Sequence, residues 1–191
     1  RPDPTFHASP KIAMQAPVEN YAFTVMLSPD GSQSDGIAVV DLNPKSKTYG
    51  EIVHQVIVPT KGDEFHHFGW NACSSSLSPL SGHAFLERRY LIVPGIRSSR
   101  IYVIDVKDPL KAHIHKTIEP EELFRKTGYS RPHTIHCGPE GIYVSCLGGG
   151  GEDGTDGPPG IFIMDCETFE ILGRSEMDRG KQDKHYDFWW N

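Results

Sequence analysis

Apolar runs recur along the chain at a nearly constant interval. Three of them share one pattern, an apolar stretch ending in Asp41, Asp105 or Asp165, and their starts are separated by 64 and 60 residues. β-Branched and aromatic residues dominate these runs, while Gly, Pro, Asn and Asp separate them. A strand-like segment precedes and follows each run, so the pattern predicts three strands per unit and no long amphipathic helix. Turn capping explains the recurring aspartates better than catalysis does.

A fourth strand-like segment lies between successive units. It comprises residues 66–70 ahead of the second unit, 132–137 ahead of the third and 186–190 after it. Four short strands at a recurrent period predict an all-β fold, a β-propeller, in which the first strand of each blade lines the central channel. We expect blades at about 18–60, 64–120 and 131–178, with the next blade starting at 185–191. The alternative is a β-sandwich, whose strands do not recur in units.

Three blades cannot close a ring, and the sheet edges they leave open favour unwanted pairing. The chain of 191 residues starts at Arg1 rather than at a methionine and stops directly after the strand-like segment 186–190. We therefore expect it to be the N-terminal portion of a longer propeller, about three blades of a total near seven. The rest of that propeller would be its first partner.

Composition narrows the classes of function. The formal net charge is −6 and the basic residues are scattered singly, which argues against nucleic-acid binding. No run approaches the roughly 18 apolar residues of a membrane span. Four cysteines without a CxxC pair favour reduced thiols and a cytoplasmic location, or a periplasmic one if a signal was removed ahead of Arg1.

Four of the ten histidines lie on the predicted innermost strands: His66, His67, His133 and His136. Imidazole binds copper, zinc, iron or nickel, so these segments could form a nitrogen-rich metal site at the propeller axis. Neighbouring side chains of a regular strand point to opposite faces, and so do those three positions apart. One histidine of each pair is thus the minimal set of ligands. The alternative is that all four are core histidines hydrogen-bonded to the backbone.

Cysteine and aromatic side chains are further candidates, and some of them have more than one interpretation. Cys73 is a redox thiol, a soft copper ligand or an inert buried cysteine, and the other cysteines (Cys137, Cys146, Cys166) read as packing residues. Aromatic side chains either line a pocket for a small apolar substrate or pack between blades; they are Phe68, Trp70, Trp189 and Trp190.

The glycine-rich stretch 148–160 lacks the terminal Gly-Lys-Ser/Thr of a phosphate-binding loop, and its acids do not have the spacing of an EF-hand. A long hairpin loop near the channel mouth is the favoured interpretation. Calcium bound by Glu152, Asp153 and Asp156 is the weaker alternative.

Several long motifs resemble one known family. DEFHHFGWNACSS at 63–75 is similar to a stretch of the selenium-binding-protein family, whose characterised members include methanethiol oxidases. Four further segments carry the same resemblance: Pro94–Asp105, Lys116–Pro120, His133–Cys137 and Tyr186–Trp189. The resemblance runs from about Ala16 to the last residue, and it implies a seven-bladed propeller more than twice this length.

The resemblance implies copper-dependent oxidation of methanethiol by oxygen and water to formaldehyde, hydrogen sulfide and hydrogen peroxide. It favours His66, His67, His133 and His136 as metal ligands. Gly50 and Ser76 stand where family members have cysteines, so selenium attachment at these two positions is not expected. The alternative is a non-enzymatic propeller that binds copper or selenium. A calcium-dependent, lactonase-like hydrolase would place carboxylates rather than histidines at the axis.

Overall fold

The computed structural model describes residues 3–72, 85–149, 157–181 and 185–189, and within these ranges the chain forms three antiparallel sheets. The strands are β1 (Tyr21–Met26), β2 (Gly36–Asp41), β3 (Ile52–Ile57), β4 (Gly69–Trp70), β5 (Tyr90–Pro94), β6 (Ile101–Asp105), β7 (His113–Ile118), β8 (Pro132–Gly138), β9 (Gly141–Cys146), β10 (Gly160–Met164) and β11 (Ile171–Arg174).

Each sheet consists of strands that follow one another in sequence. The strand orders are β1-β2-β3, β4-β5-β6-β7 and β8-β9-β10-β11. The three apolar runs that end in aspartate are β2, β6 and β10, each the next-to-last strand of its sheet. Three successive meandering sheets form a partial β-propeller, which confirms the predicted fold class. The total of about seven blades stays a prediction.

The middle sheet is buried on both faces. Ile92 and Val103 pack into a core shared with the third sheet, whereas Leu91 and Tyr102 pack into a core shared with the first sheet. Adjacent residues of a strand point to opposite faces, so a strand between two cores needs apolar residues at every position. This accounts for the uninterrupted apolar runs of the sequence.

The recurring aspartates cap turns, as predicted. The Oδ1 atom of Asp41, Asp105 or Asp165 accepts the backbone N–H two residues further on, at 2.8, 3.0 and 2.9 Å respectively. Each carboxylate thus satisfies a backbone donor where its strand ends.

Within the described ranges two short α-helices accompany the sheets, α1 (Pro10–Ala13) and α2 (Pro120–Thr127), together with a 3₁₀ turn at Pro109–Lys111. The second was not predicted, although its signals are in the sequence: a proline at the first position, acids in the first turn, bases in the last and Gly128 after it, with φ of 72°. Leu123 of α2 is buried in the core of the third sheet. Neither helix within the described ranges is long and apolar enough to cross a membrane.

Two predicted innermost strands are shorter than expected. Only Gly69 and Trp70 of the segment 66–70 pair with β5, and residues 185–189 form no strand within the described ranges. A strand exists only where a neighbour completes its hydrogen bonds. In contrast, the segment that begins at Pro132 forms the complete strand β8.

Candidate functional site

A close approach of β4 to β8 brings the two histidine segments together. A Cβ atom at Gly69 would lie 2.7 Å from the carbonyl oxygen of Ile135, closer than real Cβ atoms approach. Glycine is therefore the residue that permits this spacing between the second and third sheets. The segment just before Gly69 carries His66 and His67, and β8 carries His133.

Three imidazole rings meet at this junction. Nε2 of His66 lies 3.1 Å from Nε2 of His133. The ring centroid of His133 is 5.0 Å from that of His66 and 4.1 Å from that of His67. His133 is fully buried and the other two are partly buried. The structure thus brings three of the four predicted ligands into one cluster.

Both His66 and His67 reach this cluster, contrary to the expectation from strand geometry. The expectation assumed that the two residues belong to a regular strand, but β4 begins only at Gly69. The preceding backbone is irregular, and Glu64 has a positive φ of 64°. Outside a strand the alternation of faces does not apply, so both rings can lie beside His133.

The ring of His136, also on β8, contacts two other aromatic rings. Its ring centroid is 5.1 Å from that of Phe188 and 5.4 Å from that of Trp189. Its Nε2 atom is buried and has no hydrogen-bond partner in the part of the chain that the structure describes. A buried imidazole nitrogen without a partner is costly unless a ligand or solvent satisfies it.

A cavity of about 290 Å³ opens beside these histidines. It is lined by His66, His67, Phe68, Thr134, Ile135, His136, Asp187 and Trp189. Phe68 is among the lining residues, and its role in a substrate pocket stays a prediction. Trp70 does not line the cavity: its ring packs edge-on against Phe23, at 5.9 Å, and lies 4.7 Å below the Arg88 guanidinium.

Burial favours the neutral form of two of these histidines, His133 and His66. Loss of solvent lowers the pKa of His133 to about 4, with further lowering by the neighbouring His67 and His66. Burial, followed by the charge of His67, also lowers the pKa of His66. A neutral imidazole offers a lone pair, so at neutral pH protons do not compete for these nitrogens.

A network of hydroxyl and carbonyl groups lies next to Nδ1 of His133. Nδ1 of His133 lies 2.8 Å from Oγ1 of Thr134, and that hydroxyl is 3.4 Å from the carbonyl oxygen of Tyr186. Oγ of Ser145 donates to the same carbonyl at 3.0 Å. The Tyr186 ring stacks against His133 with a centroid separation of 4.0 Å.

The described residues contain no group of three or more His, Cys, Asp or Glu side chains that is arranged to hold a metal ion. The two facing nitrogens of His66 and His133 are the most ligand-like pair. Several predicted residues lie outside the described ranges, namely Cys73, Trp190 and the loop acids Glu152, Asp153 and Asp156.

The other cysteines differ in state. Cys146 and Cys166 are buried thiols, and burial is the largest cause that raises the pKa of each. This agrees with their interpretation as core residues. Cys137 is disulfide-bonded, so the expectation of reduced thiols throughout the chain is wrong at this position.

Comparisons with known proteins agree with this architecture. The model of the family described as 56kDa selenium binding protein (SBP56) matches residues 1–191. The chain belongs to the selenium-binding-protein family. It is 41% identical to "Selenium-binding protein 3" of Arabidopsis thaliana and 40% identical to "Methanethiol oxidase" of Xenopus laevis, over 96% of this chain and 38% of each relative.

A solved structure has the same fold. The crystal structure titled as a hypothetical selenium-binding protein from Sulfolobus tokodaii is 56% identical and superimposes with a TM-score of 0.88, over 98% of this chain and 41% of that one. This chain of the selenium-binding-protein family therefore spans about two fifths of the length of the relatives it matches.

Sequence reasoning gave no role to Thr134, Ser145 or Tyr186. Thr134 is adjacent to His133, and a hydroxyl beside a candidate ligand is the one signal that could have identified it. Ser145 belongs to β9 and Tyr186 follows the third sheet. Only the pairing of β9 with β8 and the return of the chain after β11 bring them to His133.

Proposed function

We propose that the protein containing this chain oxidises methanethiol with oxygen and water in a copper-dependent reaction. The products are formaldehyde, hydrogen sulfide and hydrogen peroxide, and CH₃SH + O₂ + H₂O balances HCHO + H₂S + H₂O₂. The observation that carries the proposal is the pair of facing nitrogens of His66 and His133, 3.1 Å apart. Relatives named methanethiol oxidase, at about 40% identity, support the same reaction.

The residues present fit a metal ion in three respects. Imidazole nitrogens bind transition metals at about 2.0 Å, so two nitrogens on one ion are roughly 3 Å apart. His66 and His133 meet that separation, and their lowered pKa leaves both neutral at pH 7. His136 adds a buried nitrogen without a partner among the described residues.

His66 and His133 would hold the ion, with His67 and His136 as the further predicted ligands. We expect additional ligands from the part of the protein outside this chain, because the described residues hold no complete set. When bound, copper supplies a soft centre that favours the thiolate form of the substrate and exchanges electrons with oxygen.

The remaining residues shape the substrate site. Phe68 and Trp189 line the cavity with apolar surface, which favours a methyl group and limits the entry of bulk water. The cavity volume of about 290 Å³ leaves room for a small thiol. Asp187 lies at the same wall and adds a carboxylate to the cavity lining.

Metal analysis and oxygen consumption test the proposal. The intact protein, purified with copper, should hold about one copper ion at this site and consume oxygen when methanethiol is added. His66→Ala and His133→Ala should lose both the metal and turnover, whereas His113→Ala, at an exposed position of β7, should keep both.

Stoichiometric copper without oxygen consumption would instead support the second candidate, a propeller that binds copper or selenium without catalysis. The relatives named selenium-binding protein favour that candidate. Absence of copper from the purified protein, together with no copper uptake, would overturn the metal site itself.

A further inference from the structure

A buried chain of hydrogen bonds ends at the imidazole of His133. The hydroxyl of Thr134 lies between His133 Nδ1, at 2.8 Å, and the carbonyl oxygen of Tyr186, at 3.4 Å. The hydroxyl of Ser145 donates to the same carbonyl at 3.0 Å and accepts the backbone N–H of Thr134 at 3.0 Å. His133, Thr134 and Ser145 are all buried, so their polar groups must form hydrogen bonds with one another rather than with water.

The donors and acceptors of this hydrogen-bond network indicate where its hydrogen atoms lie. Both hydroxyls lie within hydrogen-bond distance of the Tyr186 carbonyl oxygen, which can only accept, and when both hydrogens are directed there neither points to His133. Ser145 then offers a lone pair to the N–H of Thr134, which agrees with the observed contact. Thr134 likewise offers a lone pair to Nδ1 of His133, and that nitrogen must carry a hydrogen to use it.

We infer that Thr134 is a positioning residue: held by the Tyr186 carbonyl and Ser145, it fixes His133 as the Nδ1–H tautomer, so that Nε2 presents its lone pair to His66. In the metal-free protein His66 then donates its Nε2–H to His133 across the 3.1 Å separation. The two facing histidines therefore start as opposite tautomers.

The opposite tautomers of the two histidines have a consequence for metal uptake. Two histidines that bind one ion through Nε2 both need their hydrogen on Nδ1. His133 is prepared for this in the metal-free state, whereas His66 must change tautomer when the ion enters. The metal part of this inference rests on the proposed function; the tautomer of His133 in the metal-free protein does not.

Nitrogen-15 NMR of the intact, metal-free protein with ¹⁵N-labelled histidine tests the tautomers directly. At pH 7.0 His133 should show a protonated Nδ1 and an unprotonated Nε2, and His66 the reverse. Thr134→Val should abolish the preference at His133, and Thr134→Ser, which keeps the hydroxyl, should retain it. An Nε2–H tautomer at His133 in the unmodified protein, or an unchanged His133 in Thr134→Val, would overturn the inference.

Titration with copper(I), which is diamagnetic, supplies the second measurement. Thr134→Val should bind copper(I) about 10–100-fold more weakly, as is typical when the group that orients a histidine ligand is lost. Thr134→Ser should bind within about threefold of the unmodified protein. Thr127→Val removes another buried hydroxyl, which donates to the Leu123 carbonyl at 2.8 Å, and should leave copper affinity unchanged.

The two measurements separate the two proposals. Opposite tautomers in the metal-free protein without any copper binding would support the inference on Thr134 and contradict the proposed function. Tight copper binding that is equal in Thr134→Val and the unmodified protein would leave the proposed function in place and contradict the positioning role of Thr134.

Discussion

Nε2 of His66 and Nε2 of His133 lie 3.1 Å apart although 67 residues separate them in the chain. If both bind one copper ion, replacement of either should remove one ligand and reorganise the other. We expect His66→Ala and His133→Ala each to weaken copper binding by at least about a hundredfold, more than the loss of an orienting group does. Competition titration with a copper(I) chelator measures the change.

The exposed His113 provides the matched control for these variants, since it lies at the start of β7 with its Nδ1 3.0 Å from the Lys111 carbonyl oxygen. His113→Ala should bind copper as tightly as the unmodified protein. Equal copper affinity in all three variants and the unmodified protein would place the ion elsewhere.

Gly69 sets the distance between β4 and β8. In Gly69→Ala the added Cβ meets the backbone oxygen of Ile135 at 2.7 Å, so the two strands must separate. We expect a loss of about 1–3 kcal/mol in the free energy of unfolding, typical of overpacking, and weaker copper binding because His66 moves away from His133. Urea unfolding and copper titration measure the two effects.

Gly50→Ala is the control for this change. Gly50 has a φ of 79° and no atom within 4 Å of an added Cβ, so alanine there introduces backbone strain without a clash. It should lower stability by about 1 kcal/mol and leave copper affinity unchanged. If Gly69→Ala behaved in the same way, the close approach of the strands would not determine the site.

Phe68 and Trp70 should have different effects on the proposed oxidation. Phe68 lines the cavity, so Phe68→Ala should raise kcat/KM for propanethiol relative to methanethiol by roughly tenfold, within the range known for added methylenes. Trp70 packs against Phe23 and Arg88 instead, so Trp70→Phe should lower stability by about 1–2 kcal/mol without changing that ratio. Initial rates of oxygen consumption with the two thiols give the ratio.

The ion pair of Asp105 and Arg89 should make stability depend on pH. The Arg89 guanidinium donates to both carboxylate oxygens, with Nε 2.9 Å from Oδ1, and these hydrogen bonds are the main cause that lowers the pKa of Asp105 from 3.8. A lowered pKa in the folded state means that the carboxylate stabilises the fold above pH 3.8. This contribution disappears as the pH falls through the lower folded value.

Asp105→Asn should therefore be less stable than the unmodified protein by about 1–2 kcal/mol at pH 7, and the difference should shrink between pH 4 and pH 2. Urea unfolding at several pH values measures it. Glu121→Gln, at an exposed position of α2, should change stability by less than about 0.5 kcal/mol at any of them. A difference for Asp105→Asn that stays constant down to pH 2 would contradict the role of the ionised pair.

Local patterns in the sequence predicted a large part of the fold. Apolar runs that lack alternation identified β2, β6 and β10. In β2 and β6 nearly every position is buried, which requires apolar residues on both faces. In β10 buried and partly buried positions alternate. The aspartates that end these runs cap turns through contacts only two residues away, which sequence reasoning can assess. The short helix α2 was missed, although its terminal residues signalled it, because the strand period dominated the interpretation.

The sequence by itself determined the repeating sheets, their capped ends and the two segments that carry the histidines, since each depends on contacts between near neighbours. Only the tertiary structure decided which rings meet. His67 lies beside His66 because the residues before Gly69 do not belong to a strand. Thr134 has its proposed role because the segment after β11 brings the Tyr186 carbonyl next to its hydroxyl. These contacts join residues from separate sheets, and their geometry follows from the packing of one sheet against the next rather than from any local pattern.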